Sequence, residues 1–287
     1  MSRHMARAFD RGSDMAKGLA LTIGLNAVDP RHYEGWSGKL NACEADARDM
    51  ADIARSRRFK VQRLLTRRAT RSAVLGGIAR AASALRSGDI FLLSYSGHGG
   101  QVPDRNHDEP DAQDETWCLY NGELIDDEIH QALGRFKPGV RVLVLSDSCH
   151  SGTVTKTMFY AARGAAAGTD RVRYRNMPRE VALRTYRAHR GMYDKLQDSS
   201  KGDPRAAVRA SVILISGCQD NQLSQDGDFN GLFTANLLRV WKEGHFAGSY
   251  RTFHSAIVKS MPPDQTPKFF AVGAPSRAFE RQRPFTV

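Results

Sequence analysis

A cysteine and a histidine 51 residues apart each follow an apolar run. Cys149 stands in Asp147-Ser148-Cys149-His150-Ser151-Gly152, after Val140-Arg141-Val142-Leu143-Val144-Leu145-Ser146. His98 stands in Ser94-Tyr95-Ser96-Gly97-His98-Gly99-Gly100, after Asp89-Ile90-Phe91-Leu92-Leu93. A thiol near its free pKa of about 8.5 is already a few per cent thiolate at neutral pH and is intrinsically nucleophilic. A histidine with an ordinary pKa of about 6.5 suits proton delivery to a leaving amine. The polar turn around Cys149 exposes a sulfur instead of burying it, whereas Cys118 and Cys218 read as small core hydrophobes. Gly97, Gly99 and Gly100 let backbone approach a ligand closely, and the Gly99 N–H can meet a developing oxyanion. A phosphate cradle is the competing reading of that turn. It lacks GxGxxG, a Walker lysine and a following helix N-terminus. Together the two side chains point to a cysteine hydrolase.

The elements that must carry this pair alternate along the chain. Leu19 to Asn26 reads as a buried strand, Cys43 to Arg57 as a helix and Phe59 to Leu65 as a second strand. Thr70 is a plausible N-cap for a helix from Arg71 to about Leu85. Asp89 to Tyr95 is a third strand, 101–115 an acidic loop, Asp126 to Phe136 a short helix, and Val140 to Ser146 a fourth strand. Near-continuous apolar strands alternating with helices predict a parallel sheet covered on both faces. Ligands of such sheets sit beyond the carboxyl ends of the strands, where His98 and Cys149 both fall. The pattern breaks over 153–209, with some helix near 178–197. Ser211 to Ser216 then reads as a fifth strand, Phe233 to Trp241 and Phe253 to Met261 as helices, and Phe269 to Val272 as a sixth strand.

The 287 residues suffice for one sizeable core. No run of 18 apolar residues could span a bilayer, and residues 1–18 read as a polar extension without a signal-peptide core. Four separated cysteines without CxxC spacing read as free thiols, which with the missing export signal predicts a cytoplasmic protein. The net charge of +11 raises nucleic acid as a partner. Residues 156–209 hold 13 Lys/Arg against 5 Asp/Glu, a surplus of 8, so the basic character belongs to one insert. Neither a nucleic-acid nor a membrane partner is expected.

Asp147 lies two residues before Cys149, and Asp46 lies near the start of the first helix. Two carboxylates at one site ionise cheaply only when a cation arrives. A substrate guanidinium or ammonium would supply it. On the residues alone, the better reading of Asp46 and Asp49 is as solvated charges in the first turns of a helix, where the dipole favours them.

In these motifs the chain resembles the metacaspases, caspase-like cysteine peptidases. The resemblance covers about 19–152 and 210–245. It rests on Tyr95-Ser96-Gly97-His98-Gly99-Gly100 and Asp147-Ser148-Cys149-His150-Ser151-Gly152, supported by Leu40 to Ala47, Asp114-Glu115-Thr116 with Gly122 to Glu128, and Ser216 to Gln222. It implies a caspase-like α/β fold, with a central, mostly parallel six-stranded sheet flanked by helices on both faces. It implies an endopeptidase cleaving after Arg or Lys through a dyad of Cys149 as nucleophile and His98 as acid/base. Gly99 and Cys149 would supply the oxyanion hole. Asp46 and Asp147 would hold the basic side chain, with Ser96 and Cys43 lining the pocket. Many metacaspases need calcium, held in part by paired Asp residues (here Asp126 and Asp127). Lys156 stands where a further carboxylate is expected, which argues against calcium activation, and no other cofactor or metal is required.

The expected organisation is a polar extension (1–18), a large-subunit-like catalytic part (19–152), a basic linker (153–209) and a small-subunit-like part (210–287) of one monomeric domain. The linker is a possible site of self-cleavage or a solvated basic segment, and the sequence does not single out a bond. Two rivals stand beside this reading: a related peptidase with another residue preference, and a non-catalytic basic module using residues 156–209.

Overall fold

The computed structural model describes residues 16–104, 113–148, 173–200, 208–218 and 225–287. The chain runs through β1 (Gly18–Gly24), α1 (Cys43–Ser56), β2 (Phe59–Leu65), α2 (Arg71–Ala84) and β3 (Ile90–Ser96). Next come β4 (Gly99–Pro103), β5 (Gln113–Leu119), β6 (Gly122–Ile125), α3 (Asp126–Leu133) and β7 (Arg141–Asp147). Then follow β8 (Arg173–Tyr174), α4 (Arg179–Ala188), α5 (Arg190–Ser200), β9 (Ser211–Ser216) and β10 (Gln225–Asp226). The chain closes with α6 (Leu232–Trp241), α7 (Tyr250–Ser260), β11 (Lys268–Gly273) and α8 (Arg277–Arg281).

Six strands form the central sheet in the order β11-β9-β7-β3-β1-β2. All neighbours are parallel except β11, which runs antiparallel to β9 at the edge. The period-2 alternation of strands divides the apolar residues between two layers. Leu21, Ile23, Phe91, Leu93, Val142 and Val144 face one side, where Val74, Ile78 and Ala81 of α2 cover them. Ala20, Ile90, Leu92, Leu143, Leu145 and Ile213 face the other, under Met50 and Ile53 of α1, Phe233 and Leu237 of α6 and Phe253 of α7. This is the expected helix-covered, mostly parallel sheet. The Thr70 cap is also present, its side chain accepting the Ala73 N–H at 3.3 Å.

Two regions differ from the sequence reading. The described parts of 101–115 are not an acidic loop. Residues 101–103 and 113–115 belong to β4 and β5, which pair antiparallel and, with β6, make a second, three-stranded sheet. Acidic composition hides these strands because Asp104 and Asp114 are buried instead of solvated. The basic linker, expected to be loose with some helix near 178–197, has that helix in α4 and α5, and it adds a strand, β8, that pairs with β10. Met177, Val181 and Ala182 pack on Val28, Tyr33 and Cys118, while Tyr193 packs on Val102 and Ile125. Weak amphipathic periodicity sufficed here because these helices lie against protein that the sequence does not place beside them. No helix among the described residues is long and apolar enough to cross a membrane.

Candidate active site

Parallel register brings the carboxyl ends of β3 and β7 side by side, with Ser96 opposite Asp147. His98 follows β3 within two residues. Its carbonyl accepts the Tyr95 hydroxyl at 2.7 Å and the Cys118 N–H at 2.9 Å, which fixes the turn. The imidazole is buried against Trp36, ring centroids 4.7 Å apart. Its Nε2 lies 3.0 Å from the Gly38 carbonyl, and since a carbonyl only accepts, Nε2 carries the proton. Gly38 adopts a left-handed backbone (φ 50°), and a Cβ there would press on both Trp36 and His98. Nδ1 is therefore the free base of the neutral ring. It is buried, and no described group meets it in full hydrogen-bond geometry, although the Asn176 backbone also acts on the ring. Burial pushes the imidazole down to about 4, and the Arg175 charge acts in the same direction, against the backbone contacts to Gly38 and Asn176. Cys149, its oxyanion-hole N–H and Lys156 lie outside the described residues. The chain is placed as far as Ser148, which is fully buried and follows Asp147 at the end of β7.

Beside His98 three carboxylates converge on one guanidinium. Arg175, from the linker, is fully buried. Its Nη2 lies 2.7 Å from Asp46 Oδ2 and 3.0 Å from Asp226 Oδ1, and its Nη1 lies 2.8 Å from Asp147 Oδ2. Nη1 also donates to Ser96 Oγ at 2.9 Å, and the Ser96 hydroxyl donates to Asp46 Oδ2 at 2.7 Å. Cys43 begins α1 at the same place. It is buried, and burial pushes its thiol up despite the opposing Arg175 charge.

The carboxylates are held by other elements as well as by the cation. Asp46 Oδ1 accepts the Gly231 N–H and the Asn230 side chain, each at 3.0 Å. Asp147 Oδ2 accepts the Thr234 hydroxyl at 2.9 Å and its N–H at 3.3 Å. Asp226 accepts the Asn41 N–H at 2.6 Å and the Ala42 N–H at 3.3 Å. Backbone and side-chain donors of this kind satisfy carboxylate oxygens that burial would otherwise leave unpaired. For Arg175, burial works against the charge. The field of Asp147, then Cys43, Asp46 and Asp226, outweighs it and holds the group well above its ordinary value. A Cβ at Gly231 would sit 2.4 Å from Arg175 Nη2, so only glycine leaves room for the guanidinium there.

The structure thus gathers Asp46, Asp147, Ser96 and Cys43 in one pocket next to His98 and Gly99. Sequence reasoning missed Asp226, Gly231, Gly38 and the occupant, Arg175. A short acidic turn, Gln225-Asp226-Gly227-Asp228, was the available signal for Asp226.

A model of the caspase domain, the C14 peptidase family, matches residues 17–279. The chain belongs to the caspase-domain family of peptidases. It is 30% identical over 258 residues to metacaspase-1 of Schizosaccharomyces pombe, which takes in 79% of this chain and 59% of the yeast protein. Metacaspase-1A of Aspergillus fumigatus is likewise 30% identical, with 77% and 59% covered. The chain therefore spans about three fifths of the length of these relatives. A crystal structure of a Geobacter sulfurreducens protein is 63% identical and superposes with a TM-score of 0.87, over 94% of this chain and 99% of that one.

Proposed function

We propose that the protein is a cysteine endopeptidase that cleaves after Arg or Lys. Cys149 attacks the carbonyl of the basic residue, and the Gly99 and Cys149 N–H groups hold the oxyanion. His98, its proton-bearing Nε2 fixed on Gly38, leaves Nδ1 to take the thiol proton and return it to the leaving amine. Water then releases the acyl group. The observation that carries the residue preference is the three-carboxylate pocket closed around a guanidinium. The acids meet the tip of the side chain, Nη1 and Nη2, and no described group hydrogen-bonds Nε. A lysine ammonium could meet the same oxygens as a point charge.

In this reading the chemistry requires no metal ion, and calcium activation is doubted because Lys156 stands where a calcium-binding carboxylate is expected. Asp126 and Asp127 form the first turn of α3, where Asp126 Oδ1 accepts the Asp127 N–H at 3.0 Å. Protein and peptide substrates are the expected partners, and a cytoplasmic monomer is the expected form.

The test is a peptide panel varied at the residue before the cut, run with wild type and Cys149→Ala, in calcium and in chelator. Cleavage after Arg and Lys, abolished in Cys149→Ala, is the expected result. Cleavage only after Asp would sink the preference, and full activity in Cys149→Ala would sink the mechanism.

A further inference from the structure

The insert does not hold all of the basic character. Residues 53–88 carry ten Lys/Arg and no Asp or Glu. This stretch takes in β2, the outer strand of the central sheet, and among the described residues no strand pairs with its other side. An open strand edge presents N–H and C=O groups that another extended chain can meet.

Alternation along β2 sends Val61, Arg63 and Leu65 toward the α1 face and Lys60, Gln62 and Leu64 toward the α2 face. A groove flanks the strand on each face. On the α1 side, Arg55, Arg63, Arg67 and Arg68 line a groove of about 540 Å³. Arg55 is paired with Asp52 at 2.6 Å. Arg63, Arg67 and Arg68 are exposed and meet no carboxylate among the described residues. The acid in this lining, Glu44, is already used: its Oε2 accepts Arg48 Nη2 at 2.7 Å, and its Oε1 accepts the Thr66 hydroxyl at 2.5 Å. On the α2 side a groove of about 310 Å³ is mostly apolar, with Leu19, Ala84 and Phe91 in its walls and Lys60 and Arg80 beside them. Arg80 has a neutral partner, donating to Gln62 Oε1 at 3.0 Å.

Protection of a bare edge is the competing explanation, because charges on an outer strand discourage pairing between copies. It accounts for Lys60 and Arg63. It leaves unexplained Arg67 and Arg68, which follow the strand, and a groove on either side. Nor is charge a general rule for the edges of this sheet. At the opposite edge, β11 has a single charged residue, Lys268, and leaves Phe270 and Val272 exposed.

We propose that β2 is a docking edge for an extended segment of a partner protein in which acidic and apolar residues alternate. The segment adds to the sheet as a new outer strand, its main chain bonded to β2. Alternation then delivers its carboxylates to Arg63, Arg67 and Arg68 on one face and its apolar side chains to the groove beside α2 on the other. A nucleic acid would satisfy the arginines, but it can neither continue the strand ladder nor fill an apolar groove. None of these residues belongs to the acidic pocket, so the proposal stands apart from the Arg/Lys reading.

The full chain is titrated with short fluorescent probes, and binding is followed by anisotropy. The probes are a peptide of alternating Glu and Val, the same composition as a Glu block followed by a Val block, a peptide of alternating Lys and Val, and a single-stranded oligonucleotide. Two further alternating Glu/Val peptides carry backbone N-methyl groups, one on every Glu and the other on every Val. The alternating Glu/Val peptide is expected to bind at least about tenfold more tightly than any of the other three unmethylated probes, and more weakly as salt is raised. Successive N–H groups of a strand point to opposite edges, so one methylated peptide should lose at least about tenfold and the other should stay within about threefold. Arg63→Glu with Arg67→Glu should weaken the alternating peptide at least about tenfold. Thermal unfolding confirms that the variant is folded, and Arg67→Glu with Arg68→Glu, off the strand, makes the same test if it is not. Equal binding of the block peptide or the oligonucleotide would show a general anion surface and overturn strand addition. Equal losses from the two methylated peptides would overturn it as well. Absence of binding at millimolar peptide, or binding that both reversals leave unchanged, would remove β2 as the docking edge.

Discussion

Among the buried acids of the described residues, two sites are built to opposite ends. At the carboxyl ends of β3 and β7, Asp46, Asp147 and Asp226 share one guanidinium and are propped by N–H and hydroxyl donors. Under the three-stranded sheet, Glu123 is equally buried with only neutral polar partners. Its Oε2 accepts the Thr116 hydroxyl at 2.6 Å, and Oε1 has no partner among the described residues. Burial raises Glu123 to about 7, with the Thr116 and Tyr193 contacts and the Arg71 charge opposing. Carboxylates gathered around a cation can select a cation. A carboxyl without one is held near neutrality and acts as a hydrogen-bonding core group. The difference lies in the partners, since both sites are out of water.

The largest effect should follow from breaking the charged site. Asp147→Asn should lower kcat/KM for Arg peptides by roughly 100- to 1000-fold, the equivalent of losing about 3–4 kcal/mol from a buried charge pair. An unchanged rate of Cys149 alkylation would show that the nucleophile survived. Loss of alkylation with activity would move Asp147 from substrate binding to supporting the thiol. At the second site, the sign depends on pH. Glu123 has a folded pKa of about 7 against an ordinary 4.5, so the unfolded chain ionises first as pH rises. Below about 4.5 the group is neutral in both states and costs nothing. Between 4.5 and 7 the folded state loses ground, and above 7 the loss is complete. Glu123→Gln should therefore raise the unfolding midpoint at pH 8 and leave it nearly unchanged at pH 4. Equal shifts at both pH values would contradict a near-neutral Glu123.

A smaller effect is expected where α5 meets the body of the protein. His32 and His189 stack with centroids 4.0 Å apart, and His189 Nε2 donates to the His32 carbonyl at 3.0 Å. Burial, then the His189 charge, pushes His32 down to about 4. The released ring would titrate near 6.5, so docking is fully held above 6.5 and weakens as pH falls toward 4. Hydrogen exchange over 179–200, corrected for its intrinsic pH dependence, should rise across that window. No rise would remove the histidine pair as a contributor. The smallest effect belongs to an exposed acid: Asp52, 2.6 Å from Arg55 on the surface of α1. Asp52→Asn should change stability by less than about 0.5 kcal/mol, and a larger loss would show that burial is not what separates these sites.

Much of the charged site was legible in the sequence, and the reason is local. Ser96 and Asp147 end apolar runs, so the strands that place them announce themselves. Asp46 lies close to Cys43 at a helix start, and the family resemblance, not the residue itself, raised it above a solvated charge. Asp226 was not legible, because its tie to Asn41 and Ala42 spans more than 180 residues. Arg175 was hidden differently. It is one of 13 basic residues in the insert, and nothing in its neighbours marks it. Only the pairing of β8 with β10 and the Gly99 contacts distinguish it. Strands β4 to β6 escaped notice because their carboxylates imitate a loop while being buried in a sheet.

The charged pocket can be tested with two peptides that differ only before the cut, one carrying arginine and the other its neutral isostere citrulline. Three carboxylates around Nη1 and Nη2 predict a kcat/KM for the arginine peptide at least about 100-fold higher. Equal values for the two peptides would contradict a pocket that works by charge.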